Sequence, residues 1–223
     1  MTEDVNSESG RRPRRADKAR ATRRRIIDAA GDLLVQHGYA GTTLEAIAEQ
    51  AGVAVQTVYF HFGNKRTVLK QVVDLVAAGD DLPVPLLDRP WVKRLQATPD
   101  PHEALRIWMR NSRTIFVRVT PIMRIVRDAV GADPEMARQW TDNQQQRLAA
   151  HRFLAQQLAD KDGLREGLSV EEAGDVLYTL ISLEVFELMT VDRGWTPRRW
   201  QRWVTTTAAE AVLPPDGDPA GTG

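Results

Sequence analysis

Residues 42–65 read TTLEAIAEQAGVAVQTVYFHFGNK, and the punctuation of this stretch decides the fold. Thr42 followed by Glu45 has the spacing of a capping box. Leu44, Ile47 and Ala48 recur at helical spacing and predict a short helix. Ala51-Gly52-Val53 predicts a sharp turn, because glycine accepts a positive φ that other residues avoid. A second helix is predicted from about Val55, with Val58 and Phe62 on its core face. Two short helices across such a turn form a helix-turn-helix, which places its second helix in the major groove of DNA.

The residues upstream extend the pattern. Arg25-Ile26-Ile27-Asp28-Ala29-Ala30, Leu33-Leu34 and His37-Gly38-Tyr39 predict a helix from about Asp17 to His37 that stops at Gly38. Together with Thr43, Ile47-Ala48, Ala51-Gly52-Val53, Thr57-Val58-Tyr59, His61-Phe62 and Lys65, this run resembles the DNA-binding signature of tetracycline-repressor-type (TetR family) regulators. The resemblance covers about the first third of the chain. It is looser beyond, where Glu184 and Arg193-Gly194-Trp195 stand out. It implies a dimeric transcriptional regulator, most often a repressor that a small molecule releases from its operator.

Charge supports the same end of the chain. The 30 Lys/Arg and 30 Asp/Glu cancel, yet residues 11–70 hold 12 basic and 5 acidic side chains. A neutral chain with one basic end attracts phosphate there and not everywhere. The block Arg11–Arg25 reads either as an arm for the minor groove or as a non-specific electrostatic tether. The chain has no cysteine, which excludes disulfides, thiolate metal sites and cysteine nucleophiles. No metal or cofactor is implied. The first residues lack a signal peptide's apolar core, and Val176–Met189 is interrupted by Ser182, Glu184 and Glu187. A cytoplasmic protein without membrane contact is the expectation.

The rest of the sequence predicts helices only. Asn64 caps a helix carrying Val68, Leu69, Val72, Val73 and Val76, which Gly79 ends. Pro83 and Pro85 mark a border. Asp100-Pro101-His102-Glu103, Asp133-Pro134, Ser169-Val170-Glu171-Glu172 and Thr196-Pro197 are helix starts, and Pro214-Pro215 is a stop. Short helices are expected over residues 90–96 and 121–130. The expected class is all-α. A basic arm (1–15) precedes a three-helix helix-turn-helix domain (16–79), a helical ligand-binding and dimerisation domain (80–213) and a tail (214–223).

Seven residues are candidates for touching DNA. Gln56 can bond adenine bidentately, Phe60 can pack on a thymine methyl, and Thr57 suits a phosphate or a methyl. Thr43 and Lys65, at helix starts, suit phosphates. The resemblance adds Tyr59 and His61 as phosphate contacts; alternatively Tyr59 covers the first helix and His61 is an exposed cap. Ala54 stands where the family usually has a capping Ser or Thr. A reader this short calls for two copies on a near-palindromic duplex.

The resemblance places the dimer surface on the last two long helices. Residues 169–192 read as one helix apolar all round, and Leu183, Phe186, Trp200 and Trp203 are the candidate contacts; the alternative is that they close the core. It also implies a pocket for a small apolar or amphipathic effector, for which Trp108, Asn111, Ser112, Met123, Arg127, Trp140, Tyr178 and Glu184 are candidates. Glu184, on an apolar face, needs a partner such as Arg127. Two rival classes remain open: a DNA-binding dimer with no effector, and an enzyme acting on a small apolar substrate. The scattered histidines and the lack of HExxH, phosphate-loop or G-x-S-x-G motifs give the enzyme no support.

Overall fold

A computed structural model describes residues 15–80, 85–131 and 133–215. The basic arm, residues 81–84 of the expected border and the tail beyond 215 lie outside the described residues. Among those described, the chain is helical throughout with no strand, in agreement with an all-α fold.

Four helices form the N-terminal head: α1 (Arg15–Gly41), α2 (Leu44–Ala51), α3 (Val55–Phe62) and α4 (Lys65–Ala78). Gly38 (φ 69°, ψ 179°) breaks α1 where glycine was expected to stop it, and one further turn follows. Gly52 takes the left-handed conformation that the α2–α3 turn requires, at φ 64° and ψ 43°. Ile26, Leu34, Ile47, Val58 and Leu69 are fully buried between these helices. The helix start after Gly41 sits one residue later than the sequence spacing predicts. Thr43 is the N-cap and accepts from the Ala46 amide, whereas Thr42 is buried and donates to the Gly38 carbonyl at 2.8 Å. Thr42 thus closes the preceding turn, and no Thr42–Glu45 capping box forms.

The remaining helices are α5 (Pro90–Ala97), α6 (Pro101–Ala129), α7 (Pro134–Ala159), α8 (Val170–Leu180), α9 (Leu183–Glu187) and α10 (Pro197–Val212). Asp100, Ser169 and Thr196 cap their helices as the sequence predicts, Ser169 in a reciprocal box with Glu172. In this half α6 packs on α5, α7 and α10, and α8 on α7 and α10, while α1 and α4 of the head pack against α6.

Two further expectations fail. Residues 121–130 are not a separate helix, because α6 runs through Pro121. The proline is exposed, and Val117, whose carbonyl loses its amide partner, is half exposed, where that loss costs least. Buried Val119, Thr120, Ile122 and Met123 anchor both sides of the break. Conversely, residues 169–192 are not one helix. Ile181 (φ −96°, ψ 58°) leaves the helical region, Ser182 caps α9 through the Val185 amide, and residues 188–192 close as a wider π turn.

Candidate DNA-binding surface and effector site

Helix α3 buries Val58 and Phe62 and packs Val55 partly against the core. Gln56 and Tyr59 are exposed, Thr57 and His61 half-buried, and Phe60 is 85% exposed. A bare phenyl ring on a two-turn helix adds nothing to a hydrophobic core. Its ring meets His61 edge-on at 5.3 Å. Ala54 makes no side-chain cap, so α3 lacks the roughly 1 kcal/mol that a Ser or Thr supplies. Thr43 is exposed, with its hydroxyl oxygen engaged as the α2 cap.

Lys65 departs from the expected phosphate contact. Its ammonium turns inward, donating to the Tyr39 and Thr42 carbonyls at 2.7 and 2.9 Å, 4.1 Å from the Tyr39 ring centre. It clasps the end of α1 to the starts of α2 and α4. Asn64 caps α4 through the Thr67 amide, as expected.

The candidate effector residues divide among several places. Trp108 and Tyr178 are linked through His151 of α7, with ring centres 5.9 and 6.0 Å from the imidazole, and Trp91 stacks edge-on against Trp108 at 5.5 Å. The Tyr178 hydroxyl and Arg147 both donate to the Gln144 side-chain oxygen, at 2.9 and 2.8 Å. Arg147 also pairs with Glu184 at 3.2 Å. Glu184 therefore takes Arg147 as its partner in place of Arg127, and its side chain is 43% exposed. Burial raises its pKa, but the charge and hydrogen bonds of Arg147 prevail and hold it below the usual carboxylate range. Arg127 pairs with Glu187 at 2.9 Å, beside Arg124. Met123 lies in the core with its sulfur 3.6 Å from the Asn143 amide, Ser112 is buried, and Trp140 is half-buried.

His151 and Trp108 are each only 5% exposed. The His151 Nδ1 lies 2.7 Å from the Arg147 carbonyl, which can only accept, so Nδ1 carries the proton. That leaves Nε2 a buried acceptor without a partner, and Trp108 Nε1 a buried donor without one. Each such group costs about 1–3 kcal/mol. Burial pushes the His151 pKa down to about 4, with Arg147's charge adding to the depression and its backbone bond opposing it.

Asn111 sits elsewhere, donating to the Ile107 carbonyl and lining a cavity of about 300 Å³ between the end of α4, α5 and α6. Arg118 crosses this junction to donate to the Ala77 carbonyl at 3.0 Å. A positive side chain at a helix C-terminus is favourable. Nothing in the sequence pattern marks Arg118, His151 or Arg147. Their partners are backbone carbonyls and residues on other helices.

The expected dimer contacts also need correction. Leu183, Phe186 and Trp200 are buried within the single chain. Phe186 and Trp200 meet at 4.9 Å, and Phe116 completes the cluster at 5.4 Å from Trp200 and 5.6 Å from Phe186. Only Trp203 is partly open, edge-on to Trp195 at 5.9 Å. The break at Ile181 resets the helical phase, so that Leu183 and Phe186 join the buried side that Leu177 occupies before it.

Residues 26–72 match the family described as bacterial regulatory proteins, tetR family. The regulator TtgW of Pseudomonas putida is 47% identical over 58 residues, 26% of this chain and 43% of TtgW. The class D tetracycline repressor from Escherichia coli is 35% identical over 74 residues, 33% of this chain and 34% of the repressor. The matched stretch thus spans less than half the length of either relative. Over the whole fold, the chain is similar to SmeT in its complex with triclosan, with a TM-score of 0.69 and 23% identity over 91% of this chain and 96% of that one. SmeT is the repressor of the Stenotrophomonas maltophilia multidrug efflux pump SmeDEF. The head thus matches the tetR family of bacterial regulatory proteins in sequence, over residues 26–72, and the chain as a whole is similar to SmeT in fold.

Proposed function

We propose that the protein is a dimeric, sequence-specific DNA-binding repressor released from its operator by a small amphipathic molecule. Residues 16–79 read the DNA, and residues 80–213 hold the effector and the dimer contact. The observation that carries this reading is the outer face of α3, where Gln56, Tyr59 and an 85%-exposed Phe60 project from a helix whose inner face is fully buried. Gln56 and Phe60 meet base edges; Thr43, Thr57, Tyr59 and His61 meet phosphates. The repressor names of the tetracycline repressor and SmeT, and the triclosan complex of the latter, support the effector half.

Selection of bound duplexes from a random pool at near-physiological salt tests the reading. An enriched inverted repeat with half-sites about one helical turn apart is the expected result. Replacing Phe60 with alanine should leave stability within about 0.5 kcal/mol, since the ring touches little. It should weaken operator binding at least tenfold, since both half-sites of the proposed dimer lose a base contact worth about 1 kcal/mol or more. A pool without enrichment, or full affinity in that variant, overturns the assignment of α3.

For the dimer contact we propose the outer side of α8 and α10, where half-buried Val176 and Leu180 and half-buried Trp203, Thr207 and Ala211 recur at helical spacing. Trp203→Glu should give a helical monomer by light scattering and circular dichroism. A dimer that survives it places the contact elsewhere.

A further inference from the structure

The cavity between α4, α5 and α6 has a distinctive chemistry. Among the described residues, Arg89, Arg94 and Arg118 line it with Asp80 as the one acidic residue, and Trp91 and Ile115 are among its apolar residues. Asp80 is already held by Arg89 at 2.6 Å. The surplus of positive charge favours an anion, and apolar walls strengthen that preference by lowering the local dielectric.

Arg118 shows where the anion would bind. Its Nη2 donates to the Ala77 carbonyl at 3.0 Å, while its Nε is buried without a hydrogen-bond partner. Nε and Nη2 form one edge of the guanidinium, the edge that grips a carboxylate with two parallel bonds. A single carbonyl uses half of that edge. The guanidinium also lies against Gly79, where φ is +81° and any Cβ would collide with it, so α4 ends on this arginine.

We propose that this cavity binds the carboxylate of a small apolar acid, and that the carboxylate draws Arg118 off the end of α4. The inference rests on the reading of the protein as an effector-controlled repressor and names the chemical class of the effector. Two bonds to an anionic carboxylate replace one bond to a neutral carbonyl, so the exchange favours the acid. The Ala77 carbonyl then loses its cation, and the helix that carries the DNA-reading head is freed at its far end. A cavity of about 300 Å³ has room for about ten non-hydrogen atoms at the ~30 Å³ each water occupies in the liquid.

The probes are 4-methylbenzoate and its neutral isostere 4-methylbenzamide, titrated calorimetrically into the full chain. The acid should bind at least tenfold more tightly than the amide. Arg118→Lys keeps the charge but loses the two-bond edge, and should lower acid affinity at least tenfold. Arg94→Met, which touches no bond of α4, should lower it about threefold and so tests the charge independently of α4's integrity. In a fluorescence assay on the selected inverted repeat, the acid should release the wild type but not the Arg118→Lys protein. Equal affinity for acid and amide, no binding of either, or full acid affinity in Arg118→Lys overturns the proposal. The unliganded wild type on the same duplex separates the two readings. If it binds DNA but not the acid, only this inference falls. If it selects no duplex yet prefers acid to amide, the cavity stands and the repressor reading falls.

Discussion

Replacing Trp200 with alanine is expected to lower the unfolding free energy by about 3–5 kcal/mol, the usual cost of truncating a buried large aromatic. The side chain is fully buried and interlocks with Phe116 of α6 and Phe186 of α9, so no neighbour can collapse into the space without breaking two ring contacts. Urea unfolding at one fixed protein concentration checks it, since the proposed dimer would make the midpoint concentration-dependent. The Trp200→Phe variant, which keeps part of the ring packing, should lose less. A loss under about 1 kcal/mol for alanine would mean that Trp200 is not the keystone of this cluster. The expected outcome also separates Trp200 from Trp203: the first should change stability, the second association.

The second large effect is acid sensitivity from His151. The imidazole is buried neutral with a pKa near 4, against 6.5 for the free side chain. The unfolded chain therefore takes up a proton first as pH falls. The contribution is fully present above pH 6.5, declines through the window from 6.5 to about 4, and is spent below it. A shift of this size corresponds to roughly 3 kcal/mol. His151→Phe keeps an aromatic ring between Trp108 and Tyr178 and cannot be protonated. Urea unfolding of both proteins across that window should show the wild type losing roughly 3 kcal/mol more than the variant. Parallel curves would show that another group carries the acid response, because the 30 carboxylates titrate alike in both proteins.

What the sequence reveals here depends on whether a residue acts on its own neighbours. Asn64, Asp100, Ser169 and Thr196 cap helices within three residues of themselves, and each starts the helix its position predicts. Gly38 and Gly52 are legible for the same reason. Pro121 misleads because its local cost is outweighed by buried neighbours on both sides, a matter of packing. Ile181 misleads in the other direction: an apolar run gives no sign that the backbone breaks, although Ser182 could have been read as a second cap. Glu184 invites a partner, but the choice of Arg147 over Arg127 depends on how α7 and α9 lie together. Lys65 has the sequence position of a phosphate ligand, and only the approach of two carbonyls turns it inward. Local chemistry is written along the chain, whereas choices among distant partners are not.

The Lys65 clasp has a mechanical consequence. With the end of α1 and the starts of α2 and α4 fastened by one ammonium, the head resists bending and turns as a unit. Helix α4, at 14 residues, makes a stiff lever about 20 Å long. A tilt of about 6° at one end moves the other by about 2 Å, and in the proposed dimer two heads swinging apart would change their separation by about 4 Å. The DNA offers its grooves at a fixed repeat of about 34 Å, so a misfit of that size lifts both reading helices off register together. In the proposed dimer, a rotation too small to disturb any one contact in the head would then be enough to release the duplex.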